Sequence, residues 1–161
     1  MSPGSIADRL ASTGPPWVHL LVGDDRAPGR LPPPASGFVE AALDGRRCPT
    51  KRALLDEVAH VLGFPAYFGR TWDALEDCLT DLAWVPATGY RLVIAAADRL
   101  LARSPGQYAT FVALLEDVGR AWGTAGTGHP GRSQVAFHTV LVVSPDRLAA
   151  RRNWRAARLD G

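Results

Sequence analysis

Four short apolar runs, the last three separated by stretches of helical period, most constrain what this 161-residue chain can fold into. They are WVHLLV (17–22), FVEAAL (38–43), YRLVIA (90–95) and QVAFHTVLVV (134–143). Each is a short apolar run rich in branched or aromatic residues, so each reads as a strand. Asp44-Gly45 closes the second run with a turn signal. Thr50 is placed to cap a helix whose apolar positions are Leu54, Leu55, Val58, Val61 and Leu62. Gly63 follows as its C-terminal stop, and Pro65 forbids continuation. Asp98 is expected to cap a short helical piece ending near Ser104-Pro105. A longer helix is expected over 107–122, with Phe111, Leu114, Leu115 and Val118 inward. Strands alternating with helices build βαβ units and a mainly parallel sheet. No internal repeat is visible.

The intervening segments carry less pattern. Residues 1–16 read as a weakly ordered lead, and GDDRAPGRLPPPASG (23–37) as a connector whose prolines and glycines supply turns. GTAGTGHPGR (123–132) reads as a flexible connector. Residues 147–158 are expected to form an exposed terminal helix anchored by Leu148 and Trp154.

The most informative stretch is FPAYFGRTWDALEDCLTDLAW (64–84). A tight loop containing Pro65, Tyr67, Phe68 and Gly69 feeds a short helix, with Thr71 as its expected cap. Trp72, Leu75, Leu79 and Leu82 form one apolar stripe with Cys78 beside it. Asp73, Glu76, Asp77 and Asp81 occupy the other side, opposed only by Arg70, for a local formal charge of −3 (one Arg against four acids). Like charges four apart cost a helix roughly 0.2–0.5 kcal/mol per pair. The helix dipole favours Asp73 near the start but not Asp81 further along. Something other than helix stability keeps that face acidic.

The motif Tyr67-Phe68-Gly69-x-x-Trp72-Asp73-Ala74-Leu75-x-Asp77-Cys78-Leu79-Thr80 resembles the signature of the barstar family, protein inhibitors that plug the active site of small secreted ribonucleases. The resemblance is densest from Ala53 to Leu82 and extends more weakly toward Val143. It implies an α/β fold, a three-stranded parallel sheet packed by helices, to which 17–22 adds an N-terminal edge strand. The implied organisation is an extension over 1–35, a barstar-like domain over 36–145 and a basic tail over 146–161. In this family the acidic helix and the loop before it enter the ribonuclease site, carboxylates standing in for RNA phosphates. Carried over by position, Tyr67 matches the loop tyrosine, Asp73 and Asp77 the two principal acidic contacts, and Thr80 a further contact. Asp117 in the long helix matches a glutamate by charge type. Phe68 and Gly69 complete the loop.

Departures from the family pattern are equally specific. Glu76 stands where an aromatic contact is usual, Asp81 where a glycine is, and Leu82 where an exposed tryptophan is, with Trp84 two positions on as its substitute. Two additional carboxylates point to a target with a more basic or differently shaped mouth. The implied partner is thus a ribonuclease or related nuclease toxin. The alternative is an adaptor of the same fold that binds a non-nuclease protein through Glu76 and Asp81.

Composition excludes several other classes. The first sixteen residues lack a secretory signal's basic and apolar regions, and no run reaches the ~18–20 apolar residues of a membrane span. The expected compartment is the cytoplasm, where Cys48 and Cys78 stay thiols. The net charge of +2 is too small to argue for nucleic acid. The tail concentrates Arg147, Arg151, Arg152, Arg155 and Arg158 around Trp154, yet reads as a solvated surface helix rather than an RNA contact. Gly126, Gly128 and Gly131 match G-x-G-x-x-G but follow a helix and lead into a strand, the wrong context for a pyrophosphate loop. His19, His60, His129 and His138 show no metal-ligand spacing. No histidine, lysine or glycine-rich element completes a catalytic site around Asp73 and Asp77. No enzyme activity, metal or cofactor is expected.

Overall fold

The computed structural model describes residues 4–24, 31–124 and 133–159. In chain order the elements are α1 (Ile6–Ala11), β1 (Val18–Val22), β2 (Phe38–Asp44), α2 (Lys51–Leu62), α3 (Trp72–Asp81), β3 (Gly89–Ala95), α4 (Tyr108–Gly123), β4 (Ala136–Val143) and β5 (Ala157–Arg158). Short 3-10 turns occupy Gly45–Arg47, Pro105–Gln107 and Pro145–Ala150.

All strand pairs are parallel, in the order β2-β3-β4-β1-β5. The sheet therefore has five strands, not the expected three with an added edge strand. Residues 18–22 are not an edge strand either: β1 lies between β4, pairing Val18 with Thr139 through Val22 with Val143, and β5. The edges are β2 and the two-residue β5.

Alternation along the strands divides the interior in two. Tyr90, Leu92 and Ile94 of β3, Phe137, Leu141 and Val143 of β4, and Val18 and Leu20 of β1 join the main core with α2, α3 and α4. Val93, Val140, Val142 and Leu21 face the other way, under Ile6 and Leu10 of α1 and under Leu159. On that second face Arg91, 3% exposed, donates to the Pro32 carbonyl (2.6 Å) and to Glu40 Oε2 (3.1 Å), tying the proline-rich segment to the sheet. Gly119 of α4 is set by a close approach: a Cβ there would meet Trp17 Cγ at 2.3 Å.

Three local expectations are corrected. The lead contains a capped helix, Ser5 accepting from the Asp8 amide while the Asp8 carboxylate accepts from the Ser5 amide, and Leu10 is fully buried. Residues 97–103 form successive turns rather than a helical piece. Asp98 is buried there and ion-paired with Arg147 and Arg99. Residues 147–158 are not an exposed helix: a 3-10 turn gives way to extended chain and β5. Trp154 is buried, and Arg151 lies over the Tyr108 ring (3.8 Å) while donating to the Leu100 carbonyl. The connector over 123–132 lies, from residue 125, outside the described residues, as do the glycines of the G-x-G-x-x-G match.

Candidate functional site

Gly63 ends α2 in the left-handed region (φ 63°), and the chain turns into the loop that carries Tyr67. Under the loop, Phe64 meets Phe68 edge-on (5.0 Å between centroids) and Trp84 likewise (5.9 Å). Trp84 donates its indole N–H to the Leu62 carbonyl (2.9 Å). Phe68 is buried and Trp84 half-buried, so both support the loop from below. Tyr67 does the opposite. Its ring is 79% exposed, the one large exposed hydrophobic side chain among the described residues.

The loop closes at Arg70, which sits at φ 50° and directs its Nε to Asp56 Oδ1 of α2 (2.5 Å). That contact decides the electrostatics of the next helix. The one cation that sequence sets against the acids is turned toward α2. Thr71 caps α3, accepting from the Ala74 amide (3.0 Å). Trp72 stacks on Phe111 of α4 (5.8 Å, 28°) and donates to Gln107 Oε1 (2.9 Å). At the other end Trp122 donates to the Leu79 carbonyl (2.7 Å). With Leu75, Cys78 and Leu79 buried, α3 is pinned along its length and its polar side can face only outward.

On that side Asp73 and Asp77 are exposed, while Glu76, Thr80 and Asp81 are half-buried. Thr80 donates its hydroxyl to the Glu76 carbonyl (2.8 Å) and so lies along the helix. Asp117 of α4 belongs to the same field. Partial burial first, then the charges of Asp117, Asp73 and Asp77, raises the Glu76 carboxyl above its ordinary value. Asp117 is itself paired with Arg120 (2.8 Å). Among the described residues Asp73, Glu76 and Asp77 have no ion-pair partner within 4 Å. Cys78, beneath them, is a free thiol raised by burial and by Asp81 and Asp77.

The result is an acceptor-only surface of carboxylates beside a projecting phenol ring. Carboxylates without cations on their own chain gain most from guanidinium, ammonium or backbone N–H donors brought by another molecule. The family model described as "Barstar (barnase inhibitor)" matches residues 38–141, the run from β2 into β4 that contains all of these groups. The chain belongs to the barstar family. Its α1, β1 and β5 lie outside the matched residues. No curated protein matches the chain. Among solved structures, it is similar to the Aeropyrum pernix ORC2 protein in its ADP form (12% identity, 88% of this chain and 39% of that one, TM-score 0.46). It is also similar to a chain of Drosophila ORC bound to AT-rich DNA and Cdc6 (14% identity, 89% and 47%, TM-score 0.42). It thus spans less than half the length of either, and at these TM-scores neither likeness bears on function.

The loop and α3 were legible in sequence as structural elements, with their caps. The Arg70–Asp56 pair was not, because nothing in the spacing of residues 14 apart says that they meet. Among the described residues no group of three or more His, Cys, Asp and Glu side chains could hold a metal ion, and no helix is long and apolar enough to cross a membrane.

Proposed function

We propose that this barstar-family protein binds and plugs the active site of a small secreted ribonuclease or related nuclease toxin, acting by occupancy and not by catalysis. The observation that carries this reading is the exposed Tyr67 beside Asp73, Glu76 and Asp77, three carboxylates left without a cation by the turn of Arg70 toward Asp56. A ribonuclease site gathers cations to hold phosphate, and apposed carboxylates take the place of that phosphate. Tyr67 fills the recess where a base would stack, Asp73 and Asp77 are the main phosphate mimics, and Glu76, Asp81 and Asp117 extend the negative field. Phe68, Gly69, Thr80 and Trp84 shape and support the surface. The protein would act in the cytoplasm, protecting the producing cell before its toxin is exported.

A cleavage assay on a fluorogenic RNA tests this. Stoichiometric addition of the protein should abolish turnover by the cognate ribonuclease, and prior occupancy of the ribonuclease by a non-cleavable RNA should slow the onset of inhibition. Onset that the RNA does not slow would place the contact outside the active site.

A further inference from the structure

A second polar cleft opens at the carboxyl edge of the sheet, lined by no residue of α3 or of the loop before it. Its volume is about 240 Å³, and its walls come from the turns after three adjacent strands. Arg46 follows β2, Ala96, Asp98 and Arg99 follow β3, and Ser144, Asp146 and Arg147 follow β4. The cleft lies beyond the carboxyl ends of the strands, the end of an open α/β sheet at which ligands bind.

The cleft is built around one buried charge. The Asp98 side chain is 3% exposed and its Oδ2 accepts from Arg147 Nε (3.0 Å) and faces Arg99 Nε (3.4 Å). The Arg147 guanidinium is thereby oriented through its Nε, while Arg99 is drawn to the same carboxylate by charge. Among the described residues their Nη groups have no partner, although each side chain is about half exposed. Arg46 adds a third guanidinium, itself 3.3 Å from Asp44. The backbone is tightened to make this shape. Ala96 is held at φ 48° although it carries a Cβ and is buried, a conformation that persists only where the surroundings impose it. Gly45 packs so closely on it that a Cβ would lie 2.2 Å from the Ala96 carbonyl oxygen.

A planar N–H fork oriented by a buried carboxylate, with a second guanidinium beside the same carboxylate, matches the tetrahedral oxygens of a phosphoryl group better than it matches a single-point anion. The cleft also exceeds what one phosphate fills, and Ser144 and Asp146 offer acceptors for hydroxyl groups on the remainder of a ligand. We infer that this cleft binds the phosphoryl group of a small phosphate or phosphate monoester, held by Arg99, Arg147 and Arg46. The inference does not depend on the ribonuclease reading.

Amide shifts of the full chain, followed by NMR in titrations with inorganic phosphate and with ribose 5-phosphate at ionic strength matched by chloride, test it. Saturable shifts confined to residues 45–47, 96–99 and 144–147 are expected. Tighter binding of the sugar phosphate would identify an esterified ligand, and equal binding phosphate itself. Arg99→Gln should weaken either ligand about tenfold or more. Arg147→Lys keeps a cation beside Asp98 but removes the fork, and should weaken binding similarly while preserving the fold. Arg152→Gln, outside the cleft, should leave affinity unchanged. Shifts that fail to saturate, that chloride reproduces, or that survive both cleft substitutions would overturn the assignment.

Discussion

Glu76 of α3 and Asp117 of α4 share one acidic surface, and the charge of the second adds to partial burial in raising the carboxyl of the first. Two helices pinned together by Trp72, Phe111 and Trp122 thus hold like charges near one another. Such an arrangement costs the free protein stability.

Glu76→Gln should therefore stabilise the isolated protein while weakening its complex. The raised carboxyl means that the folded state holds its proton more tightly than the unfolded chain does, so this residue lowers stability as pH rises through the carboxylate range. Relief of repulsion should give about 0.2–0.5 kcal/mol at neutral pH, vanishing in acid where the carboxyl is protonated. Urea denaturation of both proteins at neutral and acidic pH measures it. A variant less stable than the parent at neutral pH would contradict the shared-field account.

Tyr67 and Phe68 are neighbours with opposite duties. Tyr67→Ala removes an exposed ring and should change stability by no more than about 0.5 kcal/mol while weakening partner binding by about 2 kcal/mol or more. Phe68→Ala empties a buried position beneath the loop and should cost about 3–5 kcal/mol of stability. Thermal denaturation paired with a binding isotherm separates the two effects.

Legibility followed from where the decisive interaction lies. The strands β2, β3 and β4 and the helices α2, α3 and α4 were readable because period and caps are local: Thr50, Gly63 and Thr71 do what their positions predict. Helix α1 was missed because six residues with two buried apolar side chains barely show a period, although the Ser5–Asp8 capping box was present. The tail was misread because its arginines look solvated until Arg151 is placed over Tyr108, a contact across more than forty residues, with Trp154 beside it. Five strands in the order β2-β3-β4-β1-β5 also depend on long-range pairing that no window contains. At the candidate site, the outward placement of Asp73 and Asp77 followed from helical period, whereas burial of Phe68 and the engagement of Trp84 with Leu62 required the packed loop.

His19 of β1 and His138 of β4 make the fold sensitive to acid. His138 Nε2 donates to the Ser12 carbonyl (2.6 Å), and its Nδ1 lies within hydrogen-bond distance of His19 Nε2 (2.9 Å). Burial first, then the charges of His138 and Arg9, lowers His19 from 6.5 to about 3, and burial lowers His138 as well. The unfolded chain takes up these protons and the folded one does not. Stability is therefore complete above about pH 6.5 and is lost as pH falls toward 3. Melting temperature from about pH 7 to about pH 4 should fall more steeply for the parent than for a His19→Leu/His138→Leu double variant. Parallel slopes would contradict the buried pair's role.

The most direct test of the central claim is calorimetric titration against a panel of purified small microbial ribonucleases, with Asp77→Ala alongside the parent. In the barnase–barstar complex, close interfacial charge pairs couple by about 1.5–7 kcal/mol, a figure that belongs to that complex and sets the scale here. The account predicts tight one-to-one binding to the matching ribonuclease, weakened at least about tenfold by Asp77→Ala. Binding to none of the panel, or binding that Asp77→Ala leaves unchanged, would contradict active-site plugging through α3.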